Sequence, residues 1–364
     1  MNAQDGPPIA CIEQIPDGED EAIQKIIGLE REILEKTIAE IKKKMTDENL
    51  PVPRAQHPKH HGCVRANFII ADSIPEKFRV GVFAIPGNTF PTWIRFSNAR
   101  TLDDRETGGH GMAIKLMQVP GEKLLPRQEY GQTQDFLLLD NPTFFIKNAI
   151  AFAEFDAARL KSLSSRSPTL SLILGYFLKH PLEFLKLIKI EGNYSPNPLE
   201  TTYWSTTPYK LGTGAVKYMA VPCASESSIK GPAESPNRLR IAMKLNLQTR
   251  DAYFDFCVQP QIDSTKQPIE DPRKLWKLRE TPAQKLATIH IPQQTFDSVA
   301  QMDFCENLSF NPWCSLPDHR PLGSLNRLRK ATYVALSEFR HEKNKKPSIE
   351  PTPETMPSDS KPAA

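Results

Sequence analysis

The chain of 364 residues has little of what marks several protein classes. Its 46 basic and 43 acidic side chains leave a net charge of only +3, so the total charge gives no strong attraction to nucleic acid or to anionic membranes. Six cysteines are scattered without CxxC spacing, and the N-terminus has neither the basic start nor the apolar run of a signal peptide. We therefore expect reduced thiols, a cytoplasmic location and no nucleic-acid partner.

Long hydrophobic runs are also missing. The most apolar stretch, residues 169–190, is interrupted by Lys179, His180 and Pro181, which leaves each half too short to cross a bilayer. This stretch predicts a pair of buried or interfacial helices and no transmembrane segment.

Apolar periodicity divides the chain into three parts. Within residues 1–50, spacings of three, four and seven predict one amphipathic helix, carried by Ile27, Leu34, Ile38, Ile41 and Met45. Residues 51–342 form the predicted folded domain. Residues 343–364 are rich in Pro, Ser and Lys with little to bury, which predicts a disordered tail.

From Val64 onward the apolar period changes to two. Eight segments alternate in the way that half-buried strands do: 64–70, 79–85, 92–97, 111–118, 215–222, 238–248, 251–259 and 286–292. Helical segments are inserted at about 145–190 and added at 324–341. This pattern predicts an α+β fold, an eight-stranded antiparallel β-barrel that is closed or nearly closed and carries its helices outside.

Three of the eight histidines fall in the short stretch PRAQHPKHHG, residues 53–62. A metal site is one interpretation of His57, His60 and His61. However, the loop offers no defined set of carboxylate or thiolate partners, so for His60 and His61 solvated loop side chains are the more ordinary interpretation. A third interpretation makes this stretch one half of an acid/base site whose other half lies far along the chain.

The C-terminal helix holds a candidate for that other half. Arg329 and Tyr333 are four residues apart and therefore neighbours on one helix face. A guanidinium beside a phenol lowers the phenol's pKa because it stabilises the phenolate. On spacing alone, the pair is more often a surface Tyr packed against an Arg.

Together with the segment LSFNP (308–312) and with Trp276, this Arg-x-x-x-Tyr motif resembles the haem catalases and their smaller catalase-like relatives. The resemblance implies that Tyr333 is the proximal ligand of a ferric haem b iron through its phenolate oxygen, with Arg329 beside it. Tyrosine is one of the few axial ligands that haem proteins use.

Two further motifs are similar to catalase segments. The residues Arg54-Ala-Gln-His57-Pro-Lys59 resemble R-x-x-H-A-K, which implies that His57 is the distal acid/base and that Arg54 is a haem propionate partner. The segment WIRFSNAR resembles V-R-F-S, which implies that Arg95 binds a propionate and that Ser97 hydrogen-bonds His57. Gln56 and Pro58 depart from the family pattern, and a polar neighbour could weaken proton transfer by His57.

Residues 108–116 and 140–152 also resemble catalase segments, with His110 where the family has an arginine. The second segment implies that Phe144, Phe145 and Phe152 line the distal pocket, with Phe152 against the haem. One residue is missing before the Phe pair, so the distal amide falls on Asn141 or on the position of Asp140. Asn141 is favoured, because a neutral amide can donate a hydrogen bond and an ionised carboxylate cannot.

The resemblance, which runs from about residue 54 to 333, implies a haem oxidoreductase that acts on hydrogen peroxide as a catalase or peroxidase. A chain this much shorter than ordinary catalases leaves alternatives open. It could transform fatty acid or other organic hydroperoxides, as an allene oxide synthase does, or bind haem as a carrier or sensor. A barrel that binds an apolar ligand without iron is a third alternative. A homo-oligomer is compatible with the resemblance.

Overall fold

A computed structural model describes residues 13–45, 51–125, 131–164, 170–224 and 227–355. These residues contain the following strands: β1 (His60–Ile70), β2 (Thr89–Asn98), β3 (His110–Met117), β4 (Thr133–Leu139), β5 (Tyr203–Trp204), β6 (Tyr209–Leu211), β7 (Gly214–Pro222), β8 (Ala252–Pro260) and β9 (Gln284–Ile291). The helices are α1 (Glu19–Met45), α2 (Ala149–Ser164), α3 (Leu170–Lys179), α4 (Pro181–Glu191), α5 (Arg238–Thr249), α6 (Val299–Asn307) and α7 (Ser324–Asn344).

The strands form one antiparallel sheet that closes on itself. Its order is β5-β4-β3-β2-β1-β9-β8-β7-β6, and the short strand β5 also pairs with β7. Closure therefore runs through eight strands, while β6 extends the sheet as a hairpin on β7. The predicted eight-stranded antiparallel barrel in an α+β fold is confirmed. Closure leaves these eight strands without a free edge.

Aromatic side chains fill the interior of the barrel. The ring centroids of Phe68 and Phe256 lie 4.9 Å apart, as do those of Phe136 and Tyr218. The Tyr218 hydroxyl meets Nδ1 of the buried His319 at 2.8 Å, which satisfies both polar groups inside the apolar core. Because the interior is packed, a functional pocket has to lie outside it, at an end of the barrel.

The prediction of a strand at 238–248 is wrong, because this segment forms helix α5. The apolar residues of the segment alternate, but the positions that the fold buries follow a helical spacing: Leu239, Ala242, Met243, Asn246 and Leu247. Leu245, which the strand pattern needs inside, is 43% exposed. Leu, Met, Lys, Arg and Gln are strong helix formers, and here propensity agrees with burial.

The strand predicted at 79–85 is also wrong. A single 3₁₀ turn, Gly81–Phe83, occupies this segment, and Gly81 has φ +55°. A Cβ at Gly81 would lie 2.2 Å from Nε2 of His319, so only glycine fits this close approach. Two strands that close the barrel were not predicted: the two-residue strand β5, and β4, which the alternation rule did not detect because residues 136–139 are an unbroken apolar run.

The prediction of reduced thiols is wrong for one pair of cysteines. Cys63 on β1 and Cys305 on α6 form a disulfide, with Cα atoms 5.3 Å apart across a sequence separation of 242 residues. Packing of α6 against β1 brings them together, which no sequence spacing indicates. Cys223, Cys257 and Cys314 are free, and Cys11 lies outside the described residues.

The predicted helices are present. Helix α1 contains the predicted amphipathic segment, α3 and α4 form the pair on either side of His180, and α7 runs three residues beyond the predicted end at 341. Among the described residues, no helix combines the length and the apolar character needed to cross a bilayer.

The segment after α7 differs from the predicted disordered tail. Ile349 forms a β-bridge with Leu308, and the Glu350 carboxylate lies 2.6 Å from the Lys115 ammonium. Lys115 and its second partner, Asp135 at 2.8 Å, have no exposed side-chain surface. Charge pairing therefore anchors the chain as far as residue 350 to the outside of β3 and β4, while residues 356–364 lie outside the described part.

We expect Lys115→Met to destabilise the fold by about 3–5 kcal/mol, because it leaves two buried carboxylates without their cation. The matched control is Lys244→Met, which removes a partly exposed ammonium 2.7 Å from Asp297 and is expected to cost less than about 1 kcal/mol. Urea unfolding of both variants measures the difference. Equal losses would contradict the assignment of Lys115 as a buried anchor.

Candidate functional site

His57 lies just before β1, at the end of the barrel where β1 to β3 meet. Its backbone N–H donates to the Ala99 carbonyl at 2.9 Å, and its carbonyl accepts from Nη2 of Arg95 at 3.0 Å. The ring Nδ1 lies 3.0 Å from Oγ of Ser97. Three neighbours on or next to β2 thus fix both the backbone and the ring, although His57 has an uncommon φ of +59°.

Gly111 on β3 provides the space for this ring. A Cβ at Gly111 would lie 2.5 Å from Cε1 and 2.6 Å from Nδ1 of His57. Ser97 pairs with Gly111 across the β2–β3 ladder, so the Ser97 hydroxyl and Gly111 lie next to each other against the His57 ring. The resemblance predicts the Ser97 contact, whereas the need for glycine at 111 becomes apparent only in the structure.

Burial, together with the positive charges of Arg95, Arg329 and Arg54, lowers the pKa of His57 to about 3. The imidazole is therefore neutral over the whole physiological range. Helix α7 reaches the same end of the barrel, because Arg340 on this helix and Arg54, three residues before His57, both lie beside Glu306, at 3.7 Å and 3.0 Å. The two halves of the predicted site, 276 residues apart in sequence for His57 and Tyr333, are thus brought to the same region.

Helix α7 presents Arg329 and Tyr333 as its sequence spacing predicts. Nη2 of Arg329 donates to the Tyr333 hydroxyl at 3.3 Å, and Nη1 lies 3.5 Å from the hydroxyl of Tyr209. Burial disfavours the charge of Arg329, but Tyr333 and Tyr209 raise its pKa above the ordinary value. Asn326, whose Oδ1 accepts from Arg329 at 3.2 Å, helps to hold the guanidinium in place.

A cluster of three guanidinium groups, Arg54, Arg95 and Arg340, lies beside His57. Among the described residues, Glu306 is the carboxylate that serves this cluster: it lies 3.0 Å from Arg54 and 3.7 Å from Arg340. Burial and then the charge of Arg54 lower the pKa of Arg95, and the same two causes lower that of Arg340 to about 9. Three cations against one anion leave an excess of positive charge that favours an anionic ligand.

Arg340 falls within the helix predicted at 324–341, but no sequence motif assigned it a function. It lies seven residues after Tyr333, two helical turns further along the same face. That spacing is the signal that could have identified it. The predicted propionate partners Arg54 and Arg95 are therefore joined by a third arginine from the helix that carries Tyr333.

The two alternatives for the distal amide have different contacts. Asp140 is committed to His110: its Oδ2 lies 2.6 Å from Nδ1, and its Oδ1 accepts from the backbone N–H at 2.8 Å. Asn141 is 3% exposed, and its Oδ1 accepts from the Thr143 backbone N–H at 3.1 Å. Because Oδ1 of Asn141 is engaged in this way, its Nδ2 group is the donor available to another partner.

The predicted pocket phenylalanines pack together next to α7. The centroids of Phe144 and Phe145 lie 4.9 Å apart, and Phe144 and Phe152 stack at 6.5 Å. Phe144 and Phe152 are half-buried and pack with Leu325 and Leu328, one to two turns before Tyr333. The structure thus brings these rings to the helix that carries Tyr333.

The interpretation of His60 and His61 as solvated loop histidines is wrong. Both begin β1, and His61 is fully buried with Nε2 3.0 Å from Oδ1 of Asn98. Nε2 of His60 lies 3.5 Å from Glu306. Within the described residues, no three His, Cys, Asp or Glu side chains form a group suited to a metal ion. Both histidines thus make polar contacts within the protein at the end of the barrel.

The two departures from the family pattern around His57 do not disturb its ring contacts. Gln56 is exposed, and its amide donates to Glu30 on α1 at 3.4 Å rather than to the imidazole. Pro58 also leaves the contacts of His57 in place: the backbone and Nδ1 of His57 keep the hydrogen-bond partners described above. Trp276, part of the predicted motif set, is buried with Nζ of Lys217 5.1 Å from its ring centroid.

Comparison with solved structures gives three similar chains. They are a bacterial catalase (17% identity, TM-score 0.62), catalase A from Saccharomyces cerevisiae (15%, 0.61) and a fungal catalase (14%, 0.63). The alignments cover 89%, 84% and 88% of this chain but only 63%, 63% and 64% of the respective catalases. No protein-family model and no curated protein matches the sequence. The likeness shows that this chain has the fold of the catalases.

Proposed function

We propose that this chain is a haem b oxidoreductase that acts on peroxides, with Tyr333 as the iron ligand. Support comes above all from one arrangement: His57, held by Arg95 and Ser97 at the barrel rim, lies beside an arginine cluster to which α7, the helix of Arg329 and Tyr333, contributes Arg340. An acid/base group and an axial iron ligand are two protein contributions to peroxide chemistry at haem iron, and tyrosine is the axial ligand of catalase.

The residues present fit a haem group. Nε of Arg95 is buried and has no hydrogen-bond partner among the described residues, and its neighbours Arg54 and Arg340 share the single carboxylate of Glu306. Two propionates would neutralise the excess positive charge and supply the missing acceptor. The half-buried rings of Phe144 and Phe152 offer apolar contact for the macrocycle.

Each site residue has a defined role in this proposal. A bound haem iron would supply the redox chemistry for cleavage of the O–O bond. An Nδ1–H that donates to Ser97 leaves the Nε2 lone pair of His57 free to take the proton from one peroxide oxygen and to deliver it to the other, which departs as water or an alcohol. Nδ2 of Asn141 donates a hydrogen bond that orients the peroxide. Arg329 stabilises the phenolate of Tyr333 by charge.

Tyr333→Phe is expected to reduce haem content at least about tenfold, because phenylalanine offers no oxygen to the iron. The matched control is Tyr209→Phe, which removes the other phenol next to Arg329 and should retain haem. The ratio of haem to protein absorbance after purification measures both. Full haem content and an unchanged spectrum in Tyr333→Phe would refute the ligand assignment.

His57→Ala should keep its haem but lose peroxide consumption by roughly a hundredfold, the usual contribution of a positioned proton shuttle. His60→Ala is the control, since it removes a neighbouring imidazole that faces Glu306 instead. Oxygen release and oxidation of an organic reductant, followed separately, distinguish a catalase from a peroxidase. Undiminished consumption by His57→Ala would favour a haem carrier or sensor.

The pH profile offers an independent check of the His57 environment. With the pKa of His57 at about 3, peroxide consumption should not fall between pH 8 and pH 5, whereas an ordinary histidine would begin to protonate near pH 6.5. Arg95→Gln removes one of the charges that lower this pKa, so the acid limb should move to higher pH. A wild-type midpoint near the ordinary value would contradict the half-buried imidazole with its cationic surroundings.

A further inference from the structure

Helices α3 and α4 expose an unusual amount of apolar surface. Leu178, Leu182, Leu185 and Ile188 have exposed fractions of 76%, 65%, 62% and 52%, and Phe184 is exposed as well. Leu182, Leu185 and Ile188 follow one another at intervals of three along α4, so they are neighbours on its surface. Single exposed leucines are common in monomeric proteins, but a contiguous group of this kind marks an interaction site.

Most of the charged side chains on α4 and at the end of α3 are cationic. Lys179 and Lys189 are exposed and Lys186 is half-buried, whereas Glu183, the carboxylate in the first turn of α4, points inward. Glu183 accepts a hydrogen bond from the Tyr176 hydroxyl and forms an ion pair with Arg273 at 3.3 Å. Its negative charge is therefore compensated inside the protein. The outer face of α4 therefore combines leucine and isoleucine with lysine.

A second segment with the same character lies beside α4. Within residues 274–279, KLWKLR, Leu275 and Leu278 are 50% and 45% exposed between Lys274, Lys277 and Arg279. The Arg273–Glu183 pair ties this segment to α4. Burial lowers the pKa of Lys186, and the charges of Lys189 and Lys274 lower it too, which is consistent with this proximity.

We propose that α4, the end of α3 and residues 274–279 form a docking surface for an anionic lipid bilayer. Apolar side chains that project between lysines and arginines are the pattern by which amphipathic elements lie at a membrane interface. Leucine and isoleucine enter the acyl boundary, while the lysines and arginines are attracted to the anionic head groups. We name these residues the lipid-docking surface.

A second copy of the chain fits this surface less well. A two-fold contact places the same patch on both sides, so the lysines of one copy would face those of the other, and like charges at an interface are unfavourable. The carboxylates described near this surface already have partners: Glu280 lies 3.2 Å from Lys277, Asp271 2.8 Å from Arg273, Glu191 3.0 Å from Arg100 and Glu154 3.6 Å from Nε2 of His180. A negatively charged lipid surface satisfies both the apolar and the cationic parts.

The test uses the full chain and two kinds of vesicle, pure phosphatidylcholine and the same lipid with roughly a third phosphatidylserine. We expect cosedimentation with the anionic vesicles at least about tenfold stronger than with the neutral ones, and weaker as salt is added. Leu182→Asp with Leu185→Asp should reduce anionic binding by more than about tenfold, because two inserted side chains are lost.

The matched control is Ile85→Asp, at an apolar residue that is as exposed as Leu182, 65% in both cases. Ile85 lies in the turn before β2, at the opposite end of the β1–β2 ladder from Ser97, and its variant should bind vesicles as wild type does. The double substitution Lys179→Gln with Lys189→Gln should weaken binding to the anionic vesicles but not binding to the neutral ones. Circular dichroism verifies that each variant is folded.

Two results would overturn the proposal. One is binding to anionic vesicles that the leucine substitutions leave unchanged. The other is a wild-type oligomer that binds no vesicles and that the leucine substitutions convert to a monomer in sedimentation velocity, which would make the surface a self-interface. Neither measurement depends on haem or on peroxide turnover, so the lipid-docking surface and the proposed function can fail separately.

Discussion

The burial of the Arg95 guanidinium in the barrel wall is the constraint on which the rest of the site depends. Arg95 holds the carbonyl of His57 at 3.0 Å, and its charge helps to keep that imidazole neutral. A buried cation is unfavourable unless an anion compensates it. Because Arg54 and Arg340 converge on the same place and share Glu306, the fold carries a standing excess of positive charge at this rim. The geometry of the acid/base group and the demand for an anionic ligand thus have one physical origin.

Much of the barrel could be predicted because half-buried strands have an unambiguous period of two. The prediction failed where local pattern and burial disagree. In α5, alternation of Leu239, Ile241 and Met243 indicates a strand, but the fold also buries Ala242 and Asn246, which a strand would place on the opposite face. β4 escaped detection for the opposite reason: both of its faces are covered, so Phe136 and its neighbours show no alternation.

The candidate site was predictable at the residues that sit in contiguous motifs, such as His57 with its loop and Tyr333 with its helix. Arg340 was missed because its relation to Arg54 is set by the packing of α7 across the barrel end. The same holds for Cys63 and Cys305, separated by 242 residues, and for the pairing of Glu350 with Lys115. Long-range contacts depend on tertiary packing, and a single sequence carries no pattern for them.

The Cys63–Cys305 disulfide has a structural consequence for the arginine cluster. Cys305 directly precedes Glu306, and Cys63 lies on β1 three residues after His60, which faces that carboxylate at 3.5 Å. A covalent link between β1 and α6 therefore fixes the position of Glu306 relative to Arg54 and the rim of the barrel. If the carboxylate of Glu306 were not fixed in place, the positive charges of the three guanidinium groups would repel one another without compensation. The disulfide, Glu306 and the arginines thus act as one unit that prepares the rim for an anionic ligand.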